Sequence, residues 1–155
     1  MASINRMTHE DVSTNVSARD ILENLSLLVV RDGDDKKDRY RIGDLAREFD
    51  ISLRTLRFYE DRGLLQPVRA GSTRLYSPED RERLKIILLV KSVGFSLVDI
   101  QEFLEIYDKS DSVNGIKFIT DKFKTQLSVL ESQKSRLEQS ITNLEIGLRD
   151  IQQID

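Results

Sequence analysis

The chain has 155 residues with 24 basic and 27 acidic side chains, a formal net charge of −3 and no cysteine, which excludes disulfides, thiolate metal sites and thiol redox sensing. At 39% hydrophobic and 33% charged it can build a modest soluble core. No run approaches the roughly 18 apolar residues of a membrane helix.

Residues 1–38 divide in two. The opening "MASINRMTHEDVSTN" is polar and lacks the apolar stretch of a signal peptide, so the expected location is cytoplasmic. His9, the one histidine, reads as a solvated residue rather than a metal ligand. "ARDILENLSLLVV" then sets Ile21, Leu22, Leu25, Leu28 and Val29 at helix-like spacing, for a short packing helix or strand, before "RDGDDKKD" closes it.

Helical signals follow. "IGDLAREF" places Ile42, Leu45, Ala46 and Phe49 at i, i+3, i+4 and i+7, one buried stripe. "DIS" is a tight turn in which Ser52 can cap the next helix, and Gly63 can end that helix in a left-handed conformation. "LLQPVRAGSTRLY" has the composition of a small hairpin or wing. "SPED" starts another helix, with Ser77 as cap, Pro78 in first position and acids in the first turn. "SLVD" starts a further one, using Asp99 in a capping box, with Leu97, Ile100, Phe103, Leu104 and Tyr107 facing inward.

From about Ile116 the period changes. Phe123, Leu130, Leu137, Leu144 and Ile151 recur every seven residues, and Leu127, Lys134, Ile141 and Leu148 form a second row. These are the d and a positions of a coiled-coil seam, whose expected partner is its copy in a second chain. Lys134 reads equally as a register-fixing polar residue or as a tolerated defect with its charge snorkelling.

Charge is unevenly spread along this order. Residues 1–38 sum to −3, Arg39 to Lys91 to +4 and Ser92 onward to −4. A positive block between negative ones is a local electrostatic footprint. Within it, "TLRFYEDRGLL" carries two adjacent aromatics. Advancing about 100° per residue from Leu53 puts Leu56 on the inner face and Arg54, Thr55, Phe58 and Tyr59 on the outer one. Arginine, hydroxyl and aromatic groups together suit a DNA groove. Either aromatic alone reads as well as core. Arg57 lies nearer the helix flank, where a phosphate or an intramolecular acid is its expected partner. The wing adds Arg69, Thr73, Arg74 and Tyr76, which tips the constellation toward DNA binding. No Gly-rich phosphate loop, nucleophile elbow or paired carboxylates occur, so neither an enzyme, a cofactor nor a metal is expected.

Residues 40–104, with their "RTLRFYEDRGLL", "RLYSPED" and "GFSL" blocks, strongly resemble the amino-terminal domain of MerR-type transcription regulators. The short, cysteine-free pattern looks most like regulators of amino-acid or fatty-acid catabolism. The metal- and redox-sensing members' cysteines are missing, and the large ligand domain of drug-sensing members is not expected. The resemblance implies a mainly α fold, with a winged helix-turn-helix DNA-binding domain followed by a long helix that pairs antiparallel in a coiled coil. The expected division is 1–38 extension, partly disordered; 39–107 DNA-binding domain; 108–115 linker; 116–155 dimerisation helix. It further implies a homodimer on a pseudo-palindromic promoter in double-stranded DNA, bent or untwisted to control transcription by RNA polymerase. A small-molecule effector, such as an acyl-CoA, is left open. The alternatives are an architectural or excisionase-like DNA-bending protein without a switch, and a coiled-coil interaction protein that uses its helix-turn-helix for docking.

Overall fold

The computed structural model describes residues 16–27, 37–109 and 113–154, so His9, Leu28 and Val29 lie outside the described residues. Those residues form six helices and one three-stranded antiparallel sheet. None of the helices is long and apolar enough to cross a membrane.

Helices α2 (Ile42–Phe49) and α3 (Leu53–Asp61) are the helix-turn-helix pair. Leu45 and Phe49 are the buried stripe of α2, as their spacing predicts. Asp50 ends α2 in the left-handed region at φ 51°, a conformation that Asp tolerates better than most side chains. Ser52 Oγ then accepts from Thr55 N at 3.0 Å and caps α3. Gly63, at φ +70°, turns the chain away after α3, and Leu64 N reaches back to Tyr59 O at 2.9 Å.

The wing is broader than a hairpin. Strands β2 (Val68–Ala70) and β3 (Thr73–Tyr76) pair as expected, and β1 (Tyr40–Arg41) adds to the other edge of β3. The register pairs Tyr40 with Tyr76 and Arg41 with Leu75. Because β1 runs straight into α2, the wing is tied to the first helix of the pair.

Helix α4 (Pro78–Ser92) occupies the centre. Ser77 and Asp80 cap it reciprocally, and Asp80 Oδ1 also accepts from Gln66 N at 3.0 Å. Leu84, Lys85, Ile86, Ile87, Leu89 and Val90 are all buried, the pattern of a helix covered on every side. Arg81, 5% exposed, joins α4 to α2 by a forked hydrogen bond to Glu48 between the rings of Tyr40 and Phe49. The Ser96–Asp99 capping box opens α5 (Leu97–Lys109), where Asp99 Oδ2 accepts from Ser96 N at 3.0 Å and Ser96 Oγ at 2.6 Å.

The apolar segment of the extension is helix α1 (Ala18–Ser26), which packs on α4, α5 and α6. Helix α6 (Val113–Gln152) begins three residues earlier than the seven-residue period suggests. At 40 residues it is about 60 Å long. Gly115 and Ile119 are buried in its first turns. Phe123 differs from the rest of the expected seam, for it stacks on Phe95 of its own chain at 5.9 Å. Beyond it the seam is bare: Leu137 is 64% exposed, Leu144 69%, Leu148 61% and Ile151 64%. Lys134 is exposed as well and lies 3.9 Å from Glu138 one turn on.

Candidate nucleic-acid interface

The outer face of α3 is built by what its inner face buries. Leu56 is fully buried and Tyr59, three residues on, is 2% exposed, so these two define the inside. The expectation that Tyr59 lies on the outer face is therefore corrected. Leu56 and Tyr59 stand about 60° apart on the wheel, and the buried stripe runs from Leu56 toward Tyr59 rather than toward Leu53, which is 42% exposed. Phe58 is the outward aromatic at 41% exposure, with the Arg62 guanidinium 5.2 Å from its ring centroid. Its ring lies 5.9 Å from that of Tyr59, tilted by 57°.

Arg54 and Arg57 are exposed, and among the described residues they form no hydrogen bond or ion pair. Thr55 is half-buried and shares a 2.9 Å hydrogen bond with the capping Ser52 hydroxyl. Arg54, Thr55, Phe58 and Tyr59 form one wall of a shallow cleft of about 410 Å³, and Lys91, Phe95, Leu97 and Ile100 form the other. Lys91 Nζ lies 3.5 Å from the Tyr59 hydroxyl, so Tyr59 presents only its polar end toward the cleft. Sequence reasoning missed Lys91 because it closes an apolar helical run. Its only signal was its place at the end of the positive block.

The wing residues divide. Thr73 is exposed, and Arg69 keeps 55% of its side chain accessible. Arg69 and Arg74 face each other across β2 and β3, a pairing that would repel without a counter-charge. Glu60 of α3 supplies it, accepting from Arg69 Nη2 at 3.3 Å and from Arg74 Nε at 2.5 Å. That bond raises the Arg74 pKa further above its ordinary value. Tyr76 was expected among the wing contacts but is fully buried, because its alternation in β3 turns it under the sheet. Its hydroxyl has no hydrogen-bond partner among the described residues. Burial foremost, then the Glu60 charge, pushes its pKa up to about 12.

Two arginines without an ion pair among the described residues, and a lysine, flank an exposed phenylalanine and a hydroxyl, beside a wing carrying a further accessible arginine. Such a surface holds polyanions: guanidinium and ammonium groups attract phosphates, and an aromatic ring packs on sugars or base methyls.

The comparisons agree with the fold. The family model described as "MerR HTH family regulatory protein" matches residues 40–106, and one described as "MerR, DNA binding" matches residues 81–146. The chain is 33% identical over 103 residues to the nodulation protein NolA of Bradyrhizobium diazoefficiens, covering 65% of this chain and 40% of that protein. The N-terminal structure of MtaN, the Bacillus subtilis multidrug transporter activator, aligns with TM-score 0.55 and 32% identity, over 70% of this chain and 97% of that one. HiNmlR, a MerR-family regulator lacking the sensor domain and solved bound to promoter DNA, aligns with TM-score 0.53 and 28% identity, over 66% of this chain and 78% of that one. The chain spans half the length or less of NolA and several of the other curated relatives it matches.

Proposed function

The chain belongs to the MerR family of helix-turn-helix regulatory proteins, and from that membership we propose that it is a dimeric, sequence-specific regulator of transcription. The observation that carries the reading is the outward face of α3, where Arg54 and Arg57 have no ion pair among the described residues and stand beside exposed Phe58. On this reading the first half of α3 enters the major groove, with Arg54 and Thr55 nearest base edges. Arg57, Lys91 and Arg69 neutralise phosphates, and Thr73 at the wing tip contacts the backbone. Tyr59 offers its hydroxyl alone, and Arg74 and Tyr76 support the wing from beneath.

Residues 39–107 are the reading module, and the exposed seam from Leu127 to Ile151 pairs with a second copy, antiparallel as in the family. Two modules then meet two half-sites of a pseudo-palindromic promoter. A bend or untwisting of the intervening duplex costs about 1–6 kcal/mol by elastic estimates, which phosphate contacts at both ends can offset. Realigning the promoter elements would put RNA polymerase under the protein's control.

A salt-dependent binding titration against the protein's own upstream region, with a scrambled duplex as control, tests this. Tight binding to the promoter alone, falling steeply with salt, is the expected result. Equal affinity for both duplexes would overturn sequence-specific regulation in favour of an architectural role.

A further inference from the structure

Helix α1 lies outside the residues matched by either family model, which span 40–106 and 81–146. It is nonetheless a capped and packed helix. Ser17 and Asp20 cap it reciprocally, and Ala18 and Leu22 are fully buried. It sits where the reading module meets α6, in contact with α4, α5 and α6.

The contact with α6 is close. A Cβ on Gly115 of α6 would stand 2.7 Å from Ala18 Cβ and 2.9 Å from Ile106 Cγ2 of α5, so three helices converge where only a glycine fits. A polar clasp holds α1 to α5. Arg19 lies over the Tyr107 ring, 4.2 Å from its centroid, and Arg19 Nη2 donates to the Tyr107 hydroxyl at 2.9 Å. That hydroxyl in turn donates to Glu23 Oε1 at 2.9 Å, and Glu23 also accepts from Arg19 Nε at 3.1 Å. Arg19 reaches Glu79 of α4 at 3.4 Å as well. The opposite flank of the joint is held by Lys122 of α6, which bridges Asp99 and Glu102 of α5 at 2.7 Å each.

We infer that α1 is a positioning element: wedged between module and α6, it fixes the angle at which the long helix leaves. It thereby sets the half-site separation that the protein accepts. The second part rests on the regulator reading above; the first stands on the joint alone. Leverage makes the angle matter. A pivot of about 10° at one end of a 60 Å helix carries the other end by about 10 Å, some three base-pair steps at about 3.4 Å each.

The absence of native cysteine makes the joint directly measurable. Ser72→Cys in the wing turn and Gln139→Cys on α6 take spin labels at two exposed sites only, the second off the apolar seam. Dilution of labelled protomers with unlabelled ones confines the measured distance to one chain, whatever the oligomeric state. The parent should give one narrow distribution. Leu22→Asn, and the milder Arg19→Ala should Leu22→Asn fold poorly, should broaden it or shift it by several ångströms. An unchanged distribution in a variant whose α1 amides exchange fast would overturn the positioning role.

Operators whose half-sites are spaced one base pair wider or narrower test the second part. The parent should prefer one spacing at least tenfold, and the α1 variants should lose most of that preference. Equal preference in parent and variants would overturn the spacing claim. A parent that binds no operator at all would instead sink the regulator reading, and the intrachain distance would still decide the role of α1.

Discussion

Glu60 in α3 and Arg74 in β3 are joined by a 2.5 Å hydrogen bond, and Arg69, the strand partner of Arg74, leans on the same carboxylate at 3.3 Å. One acid thus offsets two cations that the sheet sets side by side, and it locks the wing to the helix it flanks. Glu60→Gln should cost about 1–2 kcal/mol in denaturant melts, because it leaves the arginine pair without a counter-charge. Arg74→Ala should lower the melting midpoint as well, since it removes the stronger of the two contacts to Glu60. Arg69→Ala should change stability by less than about 0.5 kcal/mol, as exposed surface residues do, while weakening operator binding. An Arg74→Ala protein of unchanged stability would remove the structural role given to that arginine.

The burial contrast within α3 predicts an order of losses. Leu56→Ala should destabilise by about 2–5 kcal/mol, Tyr59→Ala by a comparable amount, and Phe58→Ala by under about 1 kcal/mol. Phe58→Ala should nonetheless lower DNA affinity, since its ring is on the outside. Urea melts paired with binding titrations separate the two effects, and equal losses for Phe58 and Leu56 would contradict the placement.

Tyr76 buries a hydroxyl that has no hydrogen-bond partner among the described residues. Tyr76→Phe keeps the ring and deletes the unsatisfied group, so it should stabilise the protein by about 1 kcal/mol or leave it unchanged. Operator affinity should stay the same. A loss of affinity would mean that the hydroxyl reaches DNA after all.

Acid should loosen the joint between α5 and α6. The Lys122 ammonium first, then the Ser96 hydroxyl and backbone N–H, hold the Asp99 pKa down to about 2. A carboxyl depressed in the folded state contributes stability above its unfolded pKa of about 3.9 and loses it as pH falls toward the folded value. Asp99→Asn should therefore melt below the parent at pH 7. That difference should shrink between about pH 4 and pH 2. A difference constant over that range would show that the carboxylate's charge is not what matters.

The seam predicts a switch in mass. Leu137→Glu combined with Leu144→Glu places charges in the apolar row and should convert a dimer into a monomer by light scattering, with the reading module intact by circular dichroism. Truncation makes a cleaner test if it spares the first turns of α6, because Ile119 belongs to the core cluster and Phe123 packs against it. A chain ending at Val129 keeps those contacts and should be monomeric. A dimer in either case would move the interface elsewhere.

Local signals in the sequence carried far. The caps at Ser52, Ser77 and Ser96 each work through atoms within three residues, so helix starts were legible without the fold. The heptad rows were legible for the same reason. What escaped depends on distance along the chain. Strand β1 is two residues long and exists only because β3 lies beside it, 36 positions on for Tyr40 and Tyr76. The Glu60–Arg74 pair and the Arg19–Tyr107 clasp likewise join residues that no periodicity links. Tyr59 was misplaced by a subtler error. A wheel gives relative angles but not which side of Leu56 the core covers, and the core covers the side of Tyr59 rather than that of Leu53.

Strand β1 has a kinetic consequence. Pairing Tyr40 with Tyr76 closes a loop that contains both α2 and α3, and the closure entropy falls on a ladder of two residue pairs. A ladder so short cannot hold that loop shut unaided. It can persist only after the two helices have packed beneath it, so the β1–β3 pairing, unlike the local β2–β3 hairpin, should form late in folding and open early in unfolding. On the proposed reading the wing is the part of the surface that meets the duplex backbone, so its full three-stranded form would be completed only in molecules whose helix-turn-helix is already formed.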